Sequence, residues 1–537
     1  MPPAAEVWEE VCCRAAGFSV SPLSVEDVLA LPTRSVPGPR LGGVGLSGAI
    51  PFISDRGPRV LSEAILYRVF ADVKSTPWSP AFLAARANLK HLLGDFLLEA
   101  KPGDGCPMSL WDWIKSMPSR RRKALVRALK DREERGEPSS QYNEIHPFVK
   151  SENLAKFGVK NGVYSVCYTE YVARLIQAPH DETHLDAGRY LKPLVPRLKE
   201  QWSWESPIFY ASVAPEKLDK WLNRVCGAQS FFWADYSSFD ATYSHEAWML
   251  IESLYAEIYP DAPPEFWAAL SAWRCPKGKA KCRKEEVVIT YQADAMNASG
   301  RDDTALANAL FNGIALTMSL AAALAGVTVD QVTPGHIARA KEVFQVAVVG
   351  DDSLVACEVD VSGFAPAIVA NLERFGLVVK AQCSPHLADV TFLGSMPYPV
   401  AGHFYWGPTI GRRLYKAFWQ ADPVGNLPAW TRGVAQQLML YRCVPVLFEI
   451  AEKVFDYLSK TKITTAYVDP NRLWQTREAP VPHWDQSTLE WLCFRYRDQG
   501  LSVGMIRDDL RTVKSISRLP AMTRLNLTDA SLLLDDM

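Results

Sequence analysis

The sequence predicts an α+β fold built on a split βαβ antiparallel sheet backed by helices, and three observations lead there. Gly350-Asp351-Asp352 lies between the apolar runs Val343 to Val349 and Leu354 to Cys357, the pattern of two strands joined by a turn with adjacent carboxylates at its tip. Ser230 to Asp235 (SFFWAD) reads as a buried strand, and Ser244 can cap a helix whose Trp248, Ile251, Leu254, Tyr255 and Ile258 keep helical spacing. A helix follows Asp303; after the hairpin come a helix near Ala365 to Phe375, ended by Gly376, and a strand from Leu377 to Ala381. On that plan the first strand and the hairpin are neighbours, which sets Asp235 beside Asp351.

Length and composition set the bounds. At 537 residues the chain has room for several subdomains, and 48% hydrophobic with 22% charged residues describes an ordinary folded protein. A net charge of −2 does not mark a polyanion-binding protein, although basic residues confined to one channel act locally whatever the total. The 11 cysteines are odd in number and form no CxxC pair, so free thiols in a reducing compartment are expected. The start, MPPAAEVWEEVCC, lacks the basic and apolar regions of a signal peptide, and secretion is not expected. Thr304 to Val329 carries no charge and could be mistaken for a membrane span. Its Asn308, Asn312, Thr317 and Ser319, behind Asp302-Asp303 as N-cap residues, favour a helix buried in a large core, and no transmembrane segment is expected.

Residues 1–140 carry a Pro/Gly-rich stretch (LPTRSVPGPRLGGVGLSGAIP) and then helical patterns, among them the basic segment Ser119 to Gly136. The segment from Tyr259 to Ala298 is expected to extend away from the sheet. From about His403 to Met537 the chain reads as mainly helical, with Trp419, Trp430, Trp474, Trp484 and Trp491 as core aromatics. There is no internal repeat and no GxxxxGK[ST] phosphate-binding loop.

The chemistry is concentrated in acids from separate segments. Asp235 at a strand end and Asp351 in a turn, supported by Asp352, suit hard cations, because Mg²⁺ takes carboxylate oxygens together with waters and substrate phosphates. Two ionised carboxylates about 4 Å apart repel by roughly 4 kcal/mol at an effective dielectric near 20, so a fold that gathers them requires a cation or a proton. Asp240 in ADYSSFDATYS lies past the strand end. In SGRDDTALAN, Ser299 and Gly300 fall in a loop, and Thr304 and Asn308 stand one helical turn apart on a face suited to hydrogen-bonding a ribose hydroxyl. Singly, each has a plain structural reading: a cap for Asp302 or Asp303, a core amide for Asn308, a solvated turn for the acidic tripeptide.

Together and in this order, the segments resemble the palm of RNA-dependent RNA polymerases of positive-strand RNA viruses, over roughly Pro147 to Ser395. Arg174-Leu-Ile-Gln177 followed by Gly188-Arg-Tyr-Leu-Lys-Pro193 is similar to the basic finger segment of the tombusvirus group and its relatives. The resemblance implies a right-hand polymerase, with an N-terminal extension and fingertips over 1–140, fingers over 141–229 and 261–290, palm over 230–260 and 291–402, and thumb with C-terminal tail over 403–537. It implies template-directed nucleotidyl transfer from NTPs with release of pyrophosphate, using Mg²⁺ or Mn²⁺. RNA template, nascent RNA and viral or host replication proteins are the implied partners. The implied location is the cytoplasm of an infected host cell, any membrane association being made through partners.

Carried over by motif, Asp235 and Asp351 hold the metals with help from Asp352, and Asp240, Ser299, Thr304 and Asn308 sense the ribose. Lys150, Lys160 and Arg174 face the incoming triphosphate, Arg174 anchored by the RLIQ match and Lys156 an alternative lysine. Lys380, in LVVKA, matches the lysine that protonates pyrophosphate, and Phe392-Leu-Gly-Ser395 resembles the turn that supports the growing end. The basic runs at Arg120 to Arg135 and at Lys277, Lys279, Lys281, Arg283 and Lys284 are then either RNA contacts or solvated faces.

Other readings share some of these residues. His180-Asp-Glu-Thr-His184 spaces two imidazoles as a zinc metallohydrolase helix would, although Asp181 stands where that pattern needs Glu. A reverse transcriptase uses the same metal logic; Gly350 and the Asn308 helix favour the RNA enzyme. A catalytically silent RNA-binding scaffold would leave the acids without purpose. Tyr405-Trp406 is either a stacking platform for an initiating nucleotide or core packing.

Overall fold

The computed structural model describes residues 17–32, 53–70, 77–100, 106–151, 172–410, 425–460 and 477–515, apart from positions 411–424 where only 413 and 418–420 are placed, and a few other short pieces. The fold is mixed α+β. Along the chain, β1 (Ser19–Ser21) and α1 (Pro58–Val69) precede α2 (Ser119–Arg135), β2 (Glu144–Val149), β3 (Leu175–Pro179), α3 (Asp181–Leu191) and β4 (Ile208–Tyr210). β5 (Ser230–Tyr236) leads through α4 (His245–Ile258) and α5 (Pro264–Arg274) to β6 (Lys277–Cys282) and β7 (Val287–Gln292). Next come α6 (Thr304–Ala325), β8 (Phe344–Val349), β9 (Asp352–Cys357), α7 (Ala365–Glu373) and β10 (Val379–Ser384). A hairpin of β11 (Ser395–Val400) and β12 (His403–Pro408) opens the C-terminal part, followed by α8 (Leu427–Leu438), α9 (Leu447–Lys460), α10 (Gln486–Arg495) and α11 (Val503–Ser515).

The central sheet has the order β10-β5-β9-β8-β4, antiparallel except where β8 runs parallel to β4. Strand alternation in β5 sends Phe232, Ala234 and Tyr236 into the largest core cluster, under α6, while Phe231 and Trp233 face the opposite side with Phe209, Trp221 and Leu354. Asp235 belongs to the second face. Helix α6 has every residue from Leu306 to Ala323 buried, and 94% of its most apolar window lies inside the protein. Each fully buried Leu, Ile or Phe of that helix contributes about 1.5–3 kcal/mol of apolar transfer, which outweighs the cost of its few amides and hydroxyls. Ser244 caps α4, its hydroxyl accepting from the Ala247 N–H at 3.2 Å, and Gly376 (φ 81) ends the turn after α7 in the left-handed region.

A second five-stranded sheet has the order β1-β7-β6-β2-β3. The segment from Tyr259 to Ala298 adds no strand to the central sheet; its β6 and β7 form the middle of this second one. Gly278 and Ala280 turn to its covered face, where α1 packs with Leu61, Ala64 and Ile65 against Val149, Leu175, Ile289 and Tyr291. Gly278 is obligatory there, because a Cβ would sit 1.9 Å from the Tyr291 ring. The basic helix α2 is neither a bare solvent face nor open to a ligand along its length. Arg121 binds Asp181, Arg132 binds Asp186 at 2.7 Å and Arg135 binds Glu182 at 2.5 Å, so three of its arginines are committed to α3.

The C-terminal part departs from the sequence reading in two ways. It begins with a strand, since His403–Pro408 pairs with Ser395–Val400, and Met396, Tyr398 and Val400 already belong to its core; a division at 402 therefore cuts a hairpin turn. Trp484 and Trp491 are half-buried and pack against that core, Trp430 is half-buried outside it, and the side chains of Trp419 and Trp474 lie outside the described residues. Trp406, by contrast, is 5% exposed and packs edge-on against Phe392, which removes it from any stacking role on the surface.

Candidate active site

Three elements converge on the Gly350-Asp351-Asp352 turn. Gly350 has φ 60, a left-handed value that only glycine adopts at little cost, and this lets β8 turn directly into β9. The turn is held from behind by Asn312 on α6. Its side-chain NH₂ donates to the Gly350 carbonyl at 3.1 Å and to the Asp351 carbonyl at 2.9 Å, while its oxygen accepts from the Tyr236 hydroxyl at 2.9 Å. A fully buried amide thus ties helix, turn and β5 together, which fixes where the Asp351 side chain begins.

Asp235 is the penultimate residue of β5, next to that turn. The β5–β9 ladder closes at Ala234↔Ser353, so Asp235 and Asp352 follow one step beyond it on neighbouring strands. On the other side of β5, Lys380 stands directly opposite Asp235, and paired residues of an antiparallel ladder project from the same face. Asp351 is reachable by solvent yet surrounded by protein. Its carboxyl is pushed up, first by desolvation and then by the negative charge of Asp235, with Arg174 acting in the opposite direction. Asp352 also borders a cavity of about 510 Å³ with Leu393, Gly394, Ser395, Arg413 and Tyr441, so the acidic turn meets the Phe392–Ser395 turn there.

Asp240 and Asn308 are joined. Asn308 is buried, and its NH₂ donates to Asp240 Oδ1 at 2.9 Å; its own oxygen accepts from the NH₂ of Asn297 at 2.6 Å. The Asn297 backbone N–H donates to the Asp240 carbonyl at 2.9 Å. Asn297, fully buried, was not singled out by the sequence, and it fixes which end of the Asn308 amide meets the acid. Desolvation raises the Asp240 carboxyl to about 6, the Asn308 hydrogen bond opposes this, and the charge of Asp351 adds to it.

That shift has a stability consequence of definite sign. Between the ordinary 3.8 and about 6 the folded chain binds the Asp240 proton and the unfolded chain does not, so the contribution falls as pH rises through this window. Asp240→Asn removes the effect and keeps the Asn308 contact. In chelator, the variant is expected to melt higher than the parent above pH 6 and no higher near pH 4, the difference being on the order of 3 kcal/mol at most. Thermal melts at the two pH values check it.

The remaining predicted residues are placed as follows. Ser299 donates from Oγ to the Leu175 carbonyl at 2.9 Å, and Thr304 donates to the Ala298 carbonyl at 3.1 Å, so both brace the 297–304 loop against β3 and itself. Lys150 follows β2, its N–H on the Arg174 carbonyl at 2.8 Å, which sets the two basic residues side by side. Lys160 ends a strand, Phe157–Lys160, but its side chain lies outside the described residues, as does all of Lys156. Asp303 holds the N-cap position of α6, its carbonyl accepting from the Ala307 N–H at 2.7 Å, but its side chain makes no capping hydrogen bond. Asp303 is held by Arg301 instead, with both side chains at 0% exposure, and Asp302 pairs with His184 at 2.9 Å. A charged partner two residues away competes successfully with the helix N–H groups for the Asp303 carboxylate.

His184 is therefore committed to Asp302, while His180 precedes α3 as its N-cap and accepts from the Glu182 N–H at 3.4 Å. Because only His184 lies within the helix, the two imidazoles share no face, and the zinc reading is discarded. Among the described residues no three His, Cys, Asp or Glu side chains lie close enough to hold an ion by themselves. The Asp235–Asp351 pair still fits Mg²⁺, which is commonly held by one or two carboxylates plus waters and substrate phosphates. No family model and no curated protein sequence matches this chain.

Proposed function

We propose that the chain is a template-directed RNA polymerase of right-hand architecture, resembling those of positive-strand RNA viruses, and that it extends RNA from NTPs with release of pyrophosphate. On this reading the central sheet with α6 is the palm, the β6–β7 sheet belongs to the fingers, and the C-terminal helices are the thumb. The observation that carries the proposal is the register that sets Asp235 of β5 beside the Gly350-Asp351-Asp352 turn, together with the joined pair Asp240 and Asn308.

Each residue then has a task. Asp235 and Asp351 hold divalent cations, which when bound activate the attacking hydroxyl and offset charge on the leaving pyrophosphate. Arg174, whose charge is felt by both Asp240 and Asp351, faces the triphosphate with Lys150 beside it. Lys380 gives a proton to the departing oxygen, a role supported by its pairing with Asp235 across the ladder. Asp240 and Asn308 receive the ribose hydroxyls, while Asn297 keeps the amide oriented.

Ribose selection separates this proposal from a reverse transcriptase. On an RNA template the parent is expected to prefer ribonucleotides over deoxynucleotides, and Asn308→Ala to reduce that preference by roughly 10-fold or more, because a site built for a hydroxyl loses its discrimination when its donor goes. Steady-state kcat/KM for matched nucleotide pairs is the measurement. An unaltered ratio in the variant would exclude Asn308 from the site, and a parent that favours deoxynucleotides would overturn the RNA-polymerase assignment.

A further inference from the structure

Among the described residues the second sheet is covered on one face only. Alternation places Ile176 and Ala178 of β3, His146 and Phe148 of β2, and Lys277, Lys279 and Lys281 of β6 on the opposite, open face, with the exposed Arg174 just before β3. The ladders agree: Phe148 lies opposite Ile176, His146 opposite Ala178, and Lys277 beside Glu144. Phe148 is 42% exposed, a large apolar ring on a polar surface, and the His146 ring stands 6.2 Å from it at a shallow tilt. These two rings border an open groove of about 870 Å³ with Lys279, Lys281, Arg283 and Lys284. Its acids are in part occupied, Glu144 by Lys279 at 3.4 Å and Asp181 by Arg121.

We infer that this open face binds single-stranded RNA, with bases stacked on Phe148 and His146 and phosphates on Lys281, Arg283 and Lys284. Stacking rings interleaved with lysines match a chain of flat bases joined by phosphates, whereas an acidic polypeptide has no use for the rings. A duplex hides its base faces and cannot stack on them. The position adds direction. Lys150 and Arg174, at the end of the same two strands, lie about two residues or ~7 Å beyond Phe148, so a strand held on this face runs toward Asp240 and Asp351. That last step rests on the polymerase reading; the binding itself does not.

The test is fluorescence anisotropy with a labelled single-stranded RNA of about 12 nucleotides, using the full chain carrying Asp351→Asn, in chelator and without nucleotides. Phe148→Ala is expected to weaken binding about tenfold at every salt concentration, and Phe148→Tyr to retain it. Lys281→Ala and Lys284→Ala are each expected to flatten the dependence of log K on log salt by roughly 0.7. Binding by Phe148→Ala within twofold of its parent would overturn the inference. So would equal competition by duplex RNA, or displacement by an acidic polypeptide where RNA fails to bind. A chain that binds RNA in this way yet makes none keeps the inference and loses the polymerase reading; one that makes RNA with Phe148→Ala binding unchanged does the reverse.

Discussion

Asp351→Asn is expected to abolish nucleotide incorporation while leaving the fold and RNA binding intact. The substitution keeps the side chain's shape and the turn's support, because Asn312 grips the main-chain carbonyls of Gly350 and Asp351 rather than the carboxylate. It removes the charge that, paired with Asp235, makes the site attractive to a divalent cation. A cation-borne stabilisation of about 4 kcal/mol corresponds to roughly a 10³-fold change in rate, and a loss of that size or larger is expected in kcat. Removing the repulsion from Asp235 also stabilises the apo chain slightly, so the melting temperature in chelator should stay level or rise. Synthesis near the parental rate would refute the role of the acid. A collapse of the melting temperature would mean that the turn, and not the ion, had been disturbed.

The largest stability effect is expected at Arg301. Its guanidinium donates to both oxygens of Asp303 at 2.9 Å, its Cζ lies 3.9 Å from the Trp248 ring centroid and 5.1 Å from that of Trp273, and Tyr255 donates a further hydrogen bond to the acid at 3.0 Å. Arg301→Met leaves Asp303 charged, buried and without its cation, a change that costs about 3–5 kcal/mol. Asp303→Leu added to Arg301→Met removes the stranded charge and is expected to recover most of the loss, whereas Arg301→Lys keeps the charge but neither the fork nor the stacking and recovers little. Thermal melts of the three variants check this. A drop for Arg301→Met no larger than for an exposed arginine such as Arg339 would show that the pair carries no such burden. The function should suffer too, because Arg301 closes the loop that presents Asn297 to Asp240 and Asn308.

Much of the central sheet was legible because its signals are local. The capping serine at 244, the glycines at 350 and 376, and the apolar runs on either side of the acidic turn each act within a few residues, and the observed elements follow them. The final strand starts at Val379 rather than Leu377, since Leu377 is taken into the core before the ladder with β5 begins. The second sheet was not legible. In β6 the covered face is Gly278 and Ala280, too small to register as hydrophobic, so the lysines around them dominated and the strand read only as a basic run. Asp303 takes the N-cap position that the sequence offers, but its side chain goes elsewhere for a related reason: capping preference is local, while the Arg301 clamp is completed by Trp248 and Trp273, far away in sequence. The same holds for Asn297, whose partners Asp240 and Asn308 are set by the loop's tertiary path. His180 and His184 show the converse error, since spacing suggested a shared face and the helix begins between them.

What the proposal asserts is that this chain polymerises ribonucleotides on an RNA template with divalent cations held at Asp235 and Asp351. The purified chain, given a defined RNA template, the four NTPs and Mg²⁺ or Mn²⁺, is expected to yield labelled product complementary to the template, to stop on addition of chelator and to resume when the cation is restored. No product with either cation, on a template that an unrelated RNA polymerase copies in the same buffer, would contradict it.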